Sequence, residues 1–245
     1  MRMRAPISVF LLRLPENWQA AQDRTVPPAW LGSEDSVRYR SMNSGRRRAE
    51  FAAGRLLLRH AIEACHPGMR WRLVAPQGQL PRLEAEDGGK LATVVSIAHS
   101  AGLIAIALSD SRRLGVDLER RGARKRDLAE VAGATLHPLE LAEMASLPAP
   151  ARRDFFLRLW TLKEALAKAL GEGLSLPMRE FAFAGDALVA APASWNGMHE
   201  RWRFANPLSV HDAALGLAWT ESDAQAAVPS VREVDHQELA ESVAS

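Results

Sequence analysis

Three short apolar runs in the middle of the chain constrain its fold most strongly. Residues 91–98 and 103–108 are apolar and partly β-branched, and a short turn containing His99 separates them. Runs of this length between turn residues are typical of paired strands, so the sequence predicts a β-hairpin with His99 at its turn. The third run, residues 114–119, predicts a further strand of the same sheet. Because 47% of the residues are hydrophobic, the chain can bury this sheet in a core.

Helical periodicity flanks the predicted sheet on both sides. Apolar side chains at helical spacing predict one helix over residues 44–65 and another over residues 151–170, which Gly171 ends. Short strand patterns accompany these helices at both ends of the chain. From residue 221 onward the polar, alanine-rich sequence predicts a loosely ordered tail. The order of elements indicates an α+β fold and is compatible with two similar halves.

Composition excludes several classes of protein. The 31 basic and 29 acidic residues nearly balance, so no global field favours a nucleic acid or an acidic membrane surface. Cys65 is the single cysteine, which rules out an internal disulfide and predicts a reducing, cytoplasmic location. No apolar run reaches the roughly 18 residues of a membrane span. The sequence therefore predicts a soluble protein with neither a nucleic-acid nor a membrane partner.

The strand predicted over residues 114–119 carries two carboxylates on one face. Strict alternation directs its apolar side chains into the core, while Asp117 and Glu119 share the opposite face. Gly115 lies on that face too, and its missing side chain would leave room for a ligand. Such a pair either borders solvent at an ordinary strand edge or supplies oxygen ligands to a hard cation such as Mg²⁺. The spacing alone leaves both interpretations open.

Glu164 and Lys168 lie one helical turn apart, on the face away from the leucine stripe of the second helix. They form either a surface ion pair worth about 0.3–0.5 kcal/mol, or a third carboxylate and a phosphate contact. The chain has 27 arginines and only 4 lysines, so two lysines in this helix, Lys163 and Lys168, favour a site. His99 is either a solvated or capping residue, or a phosphate contact that titrates near neutral pH.

Several motifs together resemble a known family. They are Gly-Val-Asp-Leu-Glu at 115–119, Trp-Thr-Leu-Lys-Glu-Ala at 160–165 followed by Lys168, and Gly-Glu-Gly-Leu-Ser at 171–175. Ser-Ile-Ala-His-Ser at 96–100 and the early helix around residues 51–59 extend the pattern. The chain thereby resembles the 4'-phosphopantetheinyl transferases of the Sfp type over roughly residues 30 to 220.

The resemblance implies an architecture and a reaction. The fold would be a pseudo-dimer of two similar α+β halves with the active site in the cleft between them, and the protein a monomer with an internal pseudo-twofold axis. Residues 1–113 would form the N-terminal half, residues 114–220 the C-terminal half with the metal site, and residues 221–245 the tail. The enzyme would transfer the 4'-phosphopantetheine arm of coenzyme A to a serine hydroxyl of an acyl or peptidyl carrier protein, releasing 3',5'-adenosine bisphosphate.

The resemblance also assigns roles to residues. Asp117, Glu119 and Glu164 would hold Mg²⁺, with Mn²⁺ as an alternative, and Lys168 would contact the phosphate and protonate the leaving group. Glu164 is the candidate base, with Glu119 or a metal-bound water as its competitors. Coenzyme A contacts are assigned to Arg38, Gly78, Gln79, Ala98, His99 and Lys168. The chain departs from the family pattern at Ala98, which replaces a serine, and at Gln79, which replaces the lysine of Gly-Lys-Pro. A phosphate or adenine contact is therefore either missing or supplied by an arginine.

Two other functions remain open from the sequence. A metal-dependent phosphohydrolase would use the same carboxylates with water as the nucleophile. A non-enzymatic module would bind RNA or another acidic partner through the basic runs at 46–48 and 120–126, with a steep salt dependence. The second run is also a candidate docking surface for an acidic carrier protein.

Overall fold

The computed structural model of the protein describes residues 7–15, 26–75, 79–110, 113–122, 128–195, 197, 200–207, 212–221, 228–236, 238 and 239. Within these residues the helices are α1 (Ser33–Ser41), α2 (Gly45–Cys65), α3 (Leu128–Thr135), α4 (Pro138–Ser146) and α5 (Ala149–Leu170). The strands are β1 (Ser8–Arg13), β2 (Trp71–Val74), β3 (Arg82–Ala85), β4 (Val94–Ser100), β5 (Leu103–Ser109), β6 (Leu114–Arg120), β7 (Ala182–Ala184), β8 (Ala187–Ala190), β9 (Arg201–Ala205), β10 (Ala213–Glu221) and β11 (Ser230–Val234). None of these helices combines the length and the apolar character that crossing a bilayer requires.

The two long helices agree with their predictions. Helix α2 covers the expected range, and α5 begins two residues earlier than expected and ends where predicted. Gly171 follows α5 with φ +79°, the left-handed conformation that glycine adopts without steric cost. The mixed α+β composition is therefore confirmed.

The strands form two main sheets instead of one central sheet. The first has the order β11-β1-β5-β4, and the second has the order β6-β10-β9. The predicted hairpin is β4 and β5, which pair antiparallel. The prediction that residues 114–119 extend that same sheet is wrong, because β6 pairs with β10 from the distant C-terminal part of the chain. The pairs β2-β3 and β7-β8 form two further hairpins.

The main sheets pack face to face between the long helices. Apolar side chains of β1 and β5 meet those of β6 and β10 in one shared core. The outer face of the first sheet packs against α2, and the outer face of the second sheet packs against α5. The result is a helix, two sheets and a second helix in layers, with α5 directly over the strand that carries Asp117 and Glu119.

The segment after residue 221 differs from the expected loose tail where the structure describes it. Strand β11 pairs in parallel with β1, with Ser8 opposite Ser230. Val231 packs against the core between the sheets, and Val234 is buried in the core under α2. These two apolar side chains and the unpaired edge of β1 explain why an otherwise polar segment joins the first sheet.

Candidate active site

Strand β6 presents both predicted carboxylates to α5. Its apolar side chains point into the core between the sheets, as the alternation predicts. Asp117 is 8% exposed and Glu119 is 5% exposed, so the alternative of a solvated strand edge is wrong. Two adjacent carboxylates are therefore buried under a helix, where they repel each other more strongly than at a surface.

Gly115 makes room for α5 and not for a ligand. A Cβ atom at this position would lie 1.8 Å from the carbonyl oxygen of Ala165, which corrects the sequence interpretation. Gly216, which pairs with Asp117 from β10, would likewise place a Cβ atom 2.3 Å from the backbone of Thr161. Two glycines on neighbouring strands thus allow the helix backbone to lie directly on the sheet, close to both carboxylates.

The ammonium group of Lys168 joins α5 to β6 and β4. Its Nζ donates to Asp117 Oδ1 and to the carbonyl of Val116, each at 2.9 Å, and to the carbonyl of Ile97 at 3.4 Å. An ammonium group has three donors, so these contacts account for all of them. The side chain remains 28% exposed. Lys168 is therefore a positive charge fixed beside Asp117 and reachable from solvent.

Asp117 has one carboxylate oxygen without a partner. Its Oδ2 is buried and accepts no hydrogen bond. Burial raises the pKa of Asp117, Lys168 opposes that rise, and Glu119 adds to it. An unsatisfied buried acceptor costs about 1–3 kcal/mol. A further cation at this face would therefore stabilise the ionised form of Asp117.

Glu119 and Glu164 have different environments. Glu119 Oε2 accepts a hydrogen bond of 3.0 Å from the Oγ of Ser100, a residue of β4. Glu164 lies on α5 one turn before Lys168 and is half-buried. The two carboxylates thus approach the site from different elements, one almost enclosed and one partly open to solvent.

The carboxylates of β6 fit a hard cation. Mg²⁺ prefers oxygen ligands and commonly takes one or two protein carboxylates together with substrate phosphate and water oxygens. Asp117 and Glu119, with the unpartnered Asp117 Oδ2, provide such a donor pair. Over the residues that the structure describes, no three Asp, Glu, His or Cys side chains are grouped closely enough to hold a metal by themselves. Substrate and water oxygens would therefore have to complete the coordination of an ion at this pair.

Lys163, next to Glu164, has a structural environment. Its side chain is 0% exposed and donates to Glu140 Oε2 at 2.5 Å and to the carbonyls of Thr135 and Met178. Burial lowers the pKa of Lys163, and Glu140 opposes that shift. These contacts link α5 to α3, to α4 and to the turn before β7. Of the two lysines in this helix, only Lys168 faces the carboxylates of β6.

Arg38 and His99 both lie beside the first half of α2. The Arg38 guanidinium is 5.9 Å from the centre of the Phe51 ring and donates to the carbonyl of Ala75. His99 Nδ1 is 3.8 Å from Glu50 Oε2, and its side chain is 65% exposed. The predicted turn position of His99 is wrong, because His99 lies within β4 and the turn is made by Ala101 and Gly102, which follow the strand. Two exposed nitrogen-bearing groups therefore flank the same part of the helix.

The remaining predicted ligand contacts are less closely grouped. Gly78 lies outside the described residues, and Gln79 is exposed. Ala98 is 3% exposed and packs in the core between the sheets, on the face of β4 opposite to His99. A serine at position 98 would point into that core and away from the side of His99.

Two of the cavities that the described residues line are outside the carboxylate cluster itself. One of about 220 Å³ separates Leu80 and Pro81 from Ala169, at the C-terminal end of α5. Because this cavity is lined by both, the segment that contains Gln79 lies near the helix that carries Lys168. The other, of about 580 Å³, lies between α1, α2 and β2 and contains none of the predicted site residues.

Ser100 and Gly216 also shape this site, although the sequence does not single them out. Ser100 donates a hydrogen bond to Glu119, and Gly216 admits α5. Ser100 stands in the same motif as His99, and this proximity is the available signal. Gly216 had no comparable signal, because its pairing with Asp117 joins residues far apart in the chain.

Comparison with known proteins identifies the family. Residues 113–218 match the sequence profile of the 4'-phosphopantetheinyl transferase superfamily. A putative 4'-phosphopantetheinyl transferase of Synechocystis is 30% identical over 171 residues, which cover 67% of this chain and 68% of that protein. The 4'-phosphopantetheinyl transferase HetI of Nostoc is 30% identical over 172 residues, covering 68% and 70%. Sfp of Bacillus subtilis is 33% identical over 86 residues, covering 35% and 37%.

These similarities establish the class of the protein. The chain belongs to the 4'-phosphopantetheinyl transferase superfamily, as its motifs indicate. The matched region contains β6 and α5 in full, so the carboxylates and Lys168 all lie within it.

Proposed function

We propose that this protein transfers the 4'-phosphopantetheine arm of coenzyme A to a serine hydroxyl of an acyl or peptidyl carrier protein. The second product is 3',5'-adenosine bisphosphate. Membership in the superfamily supports the transferase class. The observation that carries the proposal is the buried Asp117, whose Oδ1 binds Lys168 while its Oδ2 has no partner. A charged pair with unused acceptor capacity suits a site for a small, highly charged ligand.

The proposed reaction exchanges one bond to phosphorus for another. The serine oxygen forms a bond to the phosphorus that bears the pantetheine arm, and the bond from this phosphorus to the bridging pyrophosphate oxygen breaks. The leaving adenosine bisphosphate keeps the electron pair, and the serine proton passes to a base. A catalyst for this step must neutralise phosphoryl charge, align the two substrates and accept a proton.

Asp117 and Glu119 are the residues that would hold the Mg²⁺ ion, or Mn²⁺ in its place. The bound ion would neutralise negative charge on the pyrophosphate. Two carboxylates suffice for this purpose, because substrate oxygens and water complete the usual coordination of Mg²⁺. Glu164 stays a candidate third ligand from the opposite side of the site.

Lys168 would supply the second positive charge. Its shorter contacts, to Asp117 and to the Val116 carbonyl, fix the ammonium group beside β6. The contact to Ile97 is longer, at 3.4 Å, so its donor is the one that a phosphate oxygen would take over. In that position Lys168 would stabilise the developing charge and could pass a proton to the leaving group.

Glu164 is the better candidate for the base. Glu119 is almost fully buried, and its Oε2 already accepts a hydrogen bond from Ser100. Glu164 is half-buried, so a serine hydroxyl arriving from solvent can reach it more easily. The exposure of Glu164 and its place on the helix of Lys168 support this choice.

The two-half architecture is part of the proposal. Each main sheet packs one long helix on its outer face, α2 on the first sheet and α5 on the second. The second sheet begins with β6 at Leu114, which supports a boundary after residue 113, while β11 returns to the first sheet. Coenzyme A would extend from the carboxylates of β6 towards His99 and Arg38 beside α2.

The test is direct modification of a carrier. The protein is incubated with coenzyme A, Mg²⁺ and a panel of acyl and peptidyl carrier proteins, and intact carrier mass is measured. We expect at least one carrier to gain the mass of one phosphopantetheine arm, and a carrier with its acceptor serine changed to alanine to gain none. A panel that stays unmodified with a well-folded protein would contradict the proposal.

The same assay separates the alternative functions. A phosphohydrolase would release adenosine bisphosphate without any carrier, which the reaction mixture lacking carrier detects. An RNA-binding module is disfavoured because several arginines of the basic runs already have protein partners. Arg46 pairs with Glu50, Arg120 with Asp212 and Arg121 with Asp154, and Arg48 is buried against the Met42 carbonyl.

A further inference from the structure

The two main sheets meet at a boundary that side chains close. Strands β4 and β6 are edge strands of different sheets, and they lie beside each other. The Val116 amide donates to Ser96 Oγ at 2.9 Å, and the Arg120 amide donates to Ser100 Oγ at 3.2 Å. Backbone donors of β6 are thus satisfied by hydroxyl groups of β4.

The two serine contacts follow one register. Each joins residues 20 apart in the chain, so β4 and β6 run side by side in the same direction. Ser96, Ala98 and Ser100 all face this boundary, because alternate residues of a strand share a face. The two hydroxyl contacts differ in one respect, since only the second lies beside a carboxylate of the proposed site.

The Ser100 hydroxyl has a single proton, and the hydrogen bonds around the hydroxyl oxygen determine where that proton points. Its oxygen accepts the Arg120 amide, so the hydroxyl proton is free for Glu119 Oε2, 3.0 Å away. We propose that Ser100 is a positioning residue that orients the Glu119 carboxylate for the divalent cation of the proposed transferase reaction. This inference rests on the proposed function, because it concerns the same carboxylates.

The surroundings of Ser100 hold it firmly in place. The Arg120 guanidinium donates to the carbonyl of Ala101 at 3.0 Å and to Asp212, which fixes the end of β6 against the β4–β5 turn. On the other side of the turn, the Gly102 amide donates to Glu50 Oε1 at 3.0 Å. The turn is therefore anchored both to α2 and to β6, and the Ser100 hydroxyl cannot drift from Glu119 without breaking these hydrogen bonds.

A hydroxyl in this position matters because a glutamate side chain is flexible. The Glu119 side chain has several rotatable bonds. If it were not already oriented, ordering it when the cation binds would cost entropy and lower the affinity of the site for the cation. Hydrogen bonds to ligand side chains of this kind typically change metal affinity or activity by about 10–100-fold. His99 precedes Ser100 in the sequence but lies on the opposite face of β4. A substitution at Ser100 should therefore leave the position of the His99 side chain unaffected.

The experiment compares Ser100→Ala with Ser100→Thr and with Ser96→Ala as the matched control. Ser96 binds a β6 amide in the same way, but its hydroxyl is not among the contacts of Glu119. Mn²⁺ is titrated into the full-length protein in the presence of coenzyme A, and free Mn²⁺ is counted by electron paramagnetic resonance. Mg²⁺ half-saturation and the KM for coenzyme A are measured in the carrier assay.

We expect Ser100→Ala to weaken Mn²⁺ binding by about 10-fold and to raise the Mg²⁺ half-saturation in parallel. The KM for coenzyme A at saturating Mg²⁺ should stay within about twofold. Ser100→Thr keeps the hydroxyl and should restore Mn²⁺ binding to within about threefold of the original protein. Ser96→Ala should lower the melting temperature and leave Mn²⁺ binding within about twofold.

Unchanged Mn²⁺ binding in Ser100→Ala, or an equal loss in Ser96→Ala, would overturn the positioning role. In that case the proposed function would still stand as long as the wild-type protein modifies carriers. If the unmodified protein binds Mn²⁺ but modifies no carrier, the proposed function fails and the binding data alone decide the role of Ser100. If Ser100→Ala does not fold, Ser100→Cys, with its weak thiol donor, replaces it under the same expectations.

Discussion

Helix α5 carries two lysine–carboxylate pairs that differ in almost every physical respect. The side chains of Lys163 and Glu140 are 0% and 1% exposed, whereas the side chains of Lys168 and Asp117 are 28% and 11% exposed. Glu140 also accepts the amides of Phe183 and His137, so both of its oxygens are satisfied. Asp117 keeps a buried oxygen with no partner.

We propose that this difference separates a structural pair from one that serves the proposed site. A buried pair with every donor and acceptor satisfied holds elements together and has no capacity for a ligand. A pair that is partly open and partly unsatisfied loses stability in the free protein and gains interactions when a charged ligand arrives. Both pairs join a lysine to a carboxylate, so their surroundings decide the role.

The most severe test of this comparison removes the charge of the structural pair. Lys163→Met leaves Glu140 buried without its counter-ion, and breaking such a pair costs about 3–5 kcal/mol. We expect the unfolding free energy from urea titration to fall by that amount, while the carrier modification rate per folded molecule stays within a few-fold. The double variant Lys163→Met with Glu140→Gln should recover part of the loss, because it removes both charges.

A 100-fold loss of rate in fully folded Lys163→Met would contradict the structural assignment. So would an unfolding free energy that changes by less than about 1 kcal/mol, because a buried carboxylate cannot lose its partner at so small a cost.

The second test removes the negative charge of the pair that we assign to the proposed site. The folded-state pKa of Asp117 is raised above its unfolded value, so at neutral pH the ionised carboxylate destabilises the fold. Asp117→Asn should therefore keep or raise the melting temperature at pH 7, while carrier modification falls by about 100–1,000-fold. Thermal unfolding and initial rates from intact mass check both parts. A melting temperature several degrees lower would mean that this pair, too, is structural.

For the residues of this site, the sequence predicts the face of the strand or helix on which each one lies better than it predicts how deeply each one is buried. Alternation over residues 114–119 places Asp117 and Glu119 together because a strand fixes which side each residue faces. Helical spacing likewise places Lys168 away from the leucine stripe. These are local rules, and the structure confirms the arrangements that follow from them.

The partners of these residues could not be predicted, because they come from distant parts of the chain. Lys163 and Lys168 differ in role through Glu140 and Asp117, which are 23 and 51 residues away. Gly115 resembled an opening for a ligand, but its empty space is filled by the backbone of α5. A single sequence shows on which face of a strand or helix a residue lies, whereas only the packed fold shows what covers that face.

The third test moves one end of α5. Gly115→Ala would place a Cβ atom 1.8 Å from the Ala165 carbonyl oxygen, between the two lysines. The helix must lift from β6 at that point, and we expect a loss of about 1–3 kcal/mol in unfolding free energy together with a lower kcat. Gly133→Ala is the matched control, because its Cβ would meet nothing within 4 Å in helix α3 and alanine favours the helix. Equal stability of the two variants would contradict the close packing of α5 on β6.

The smallest effect comes from a third, more exposed ion pair that completes the comparison. Asp212 accepts two hydrogen bonds from Arg13 and one from Arg120, and the Arg13 contact is the main reason why its pKa falls to about 2. The folded-state pKa lies below the unfolded value of 3.8, so the pair stabilises the fold above about pH 4, and this contribution is lost as pH falls towards 2. Because Asp212 is about one-third exposed, Asp212→Asn should lower the unfolding free energy at pH 7 by less than about 1 kcal/mol, and by less still in high salt. Urea titrations at pH 7, 5 and 3 should show the variant and the unmodified protein converging as pH falls, whereas a pH-independent difference would mean that charge at Asp212 contributes nothing.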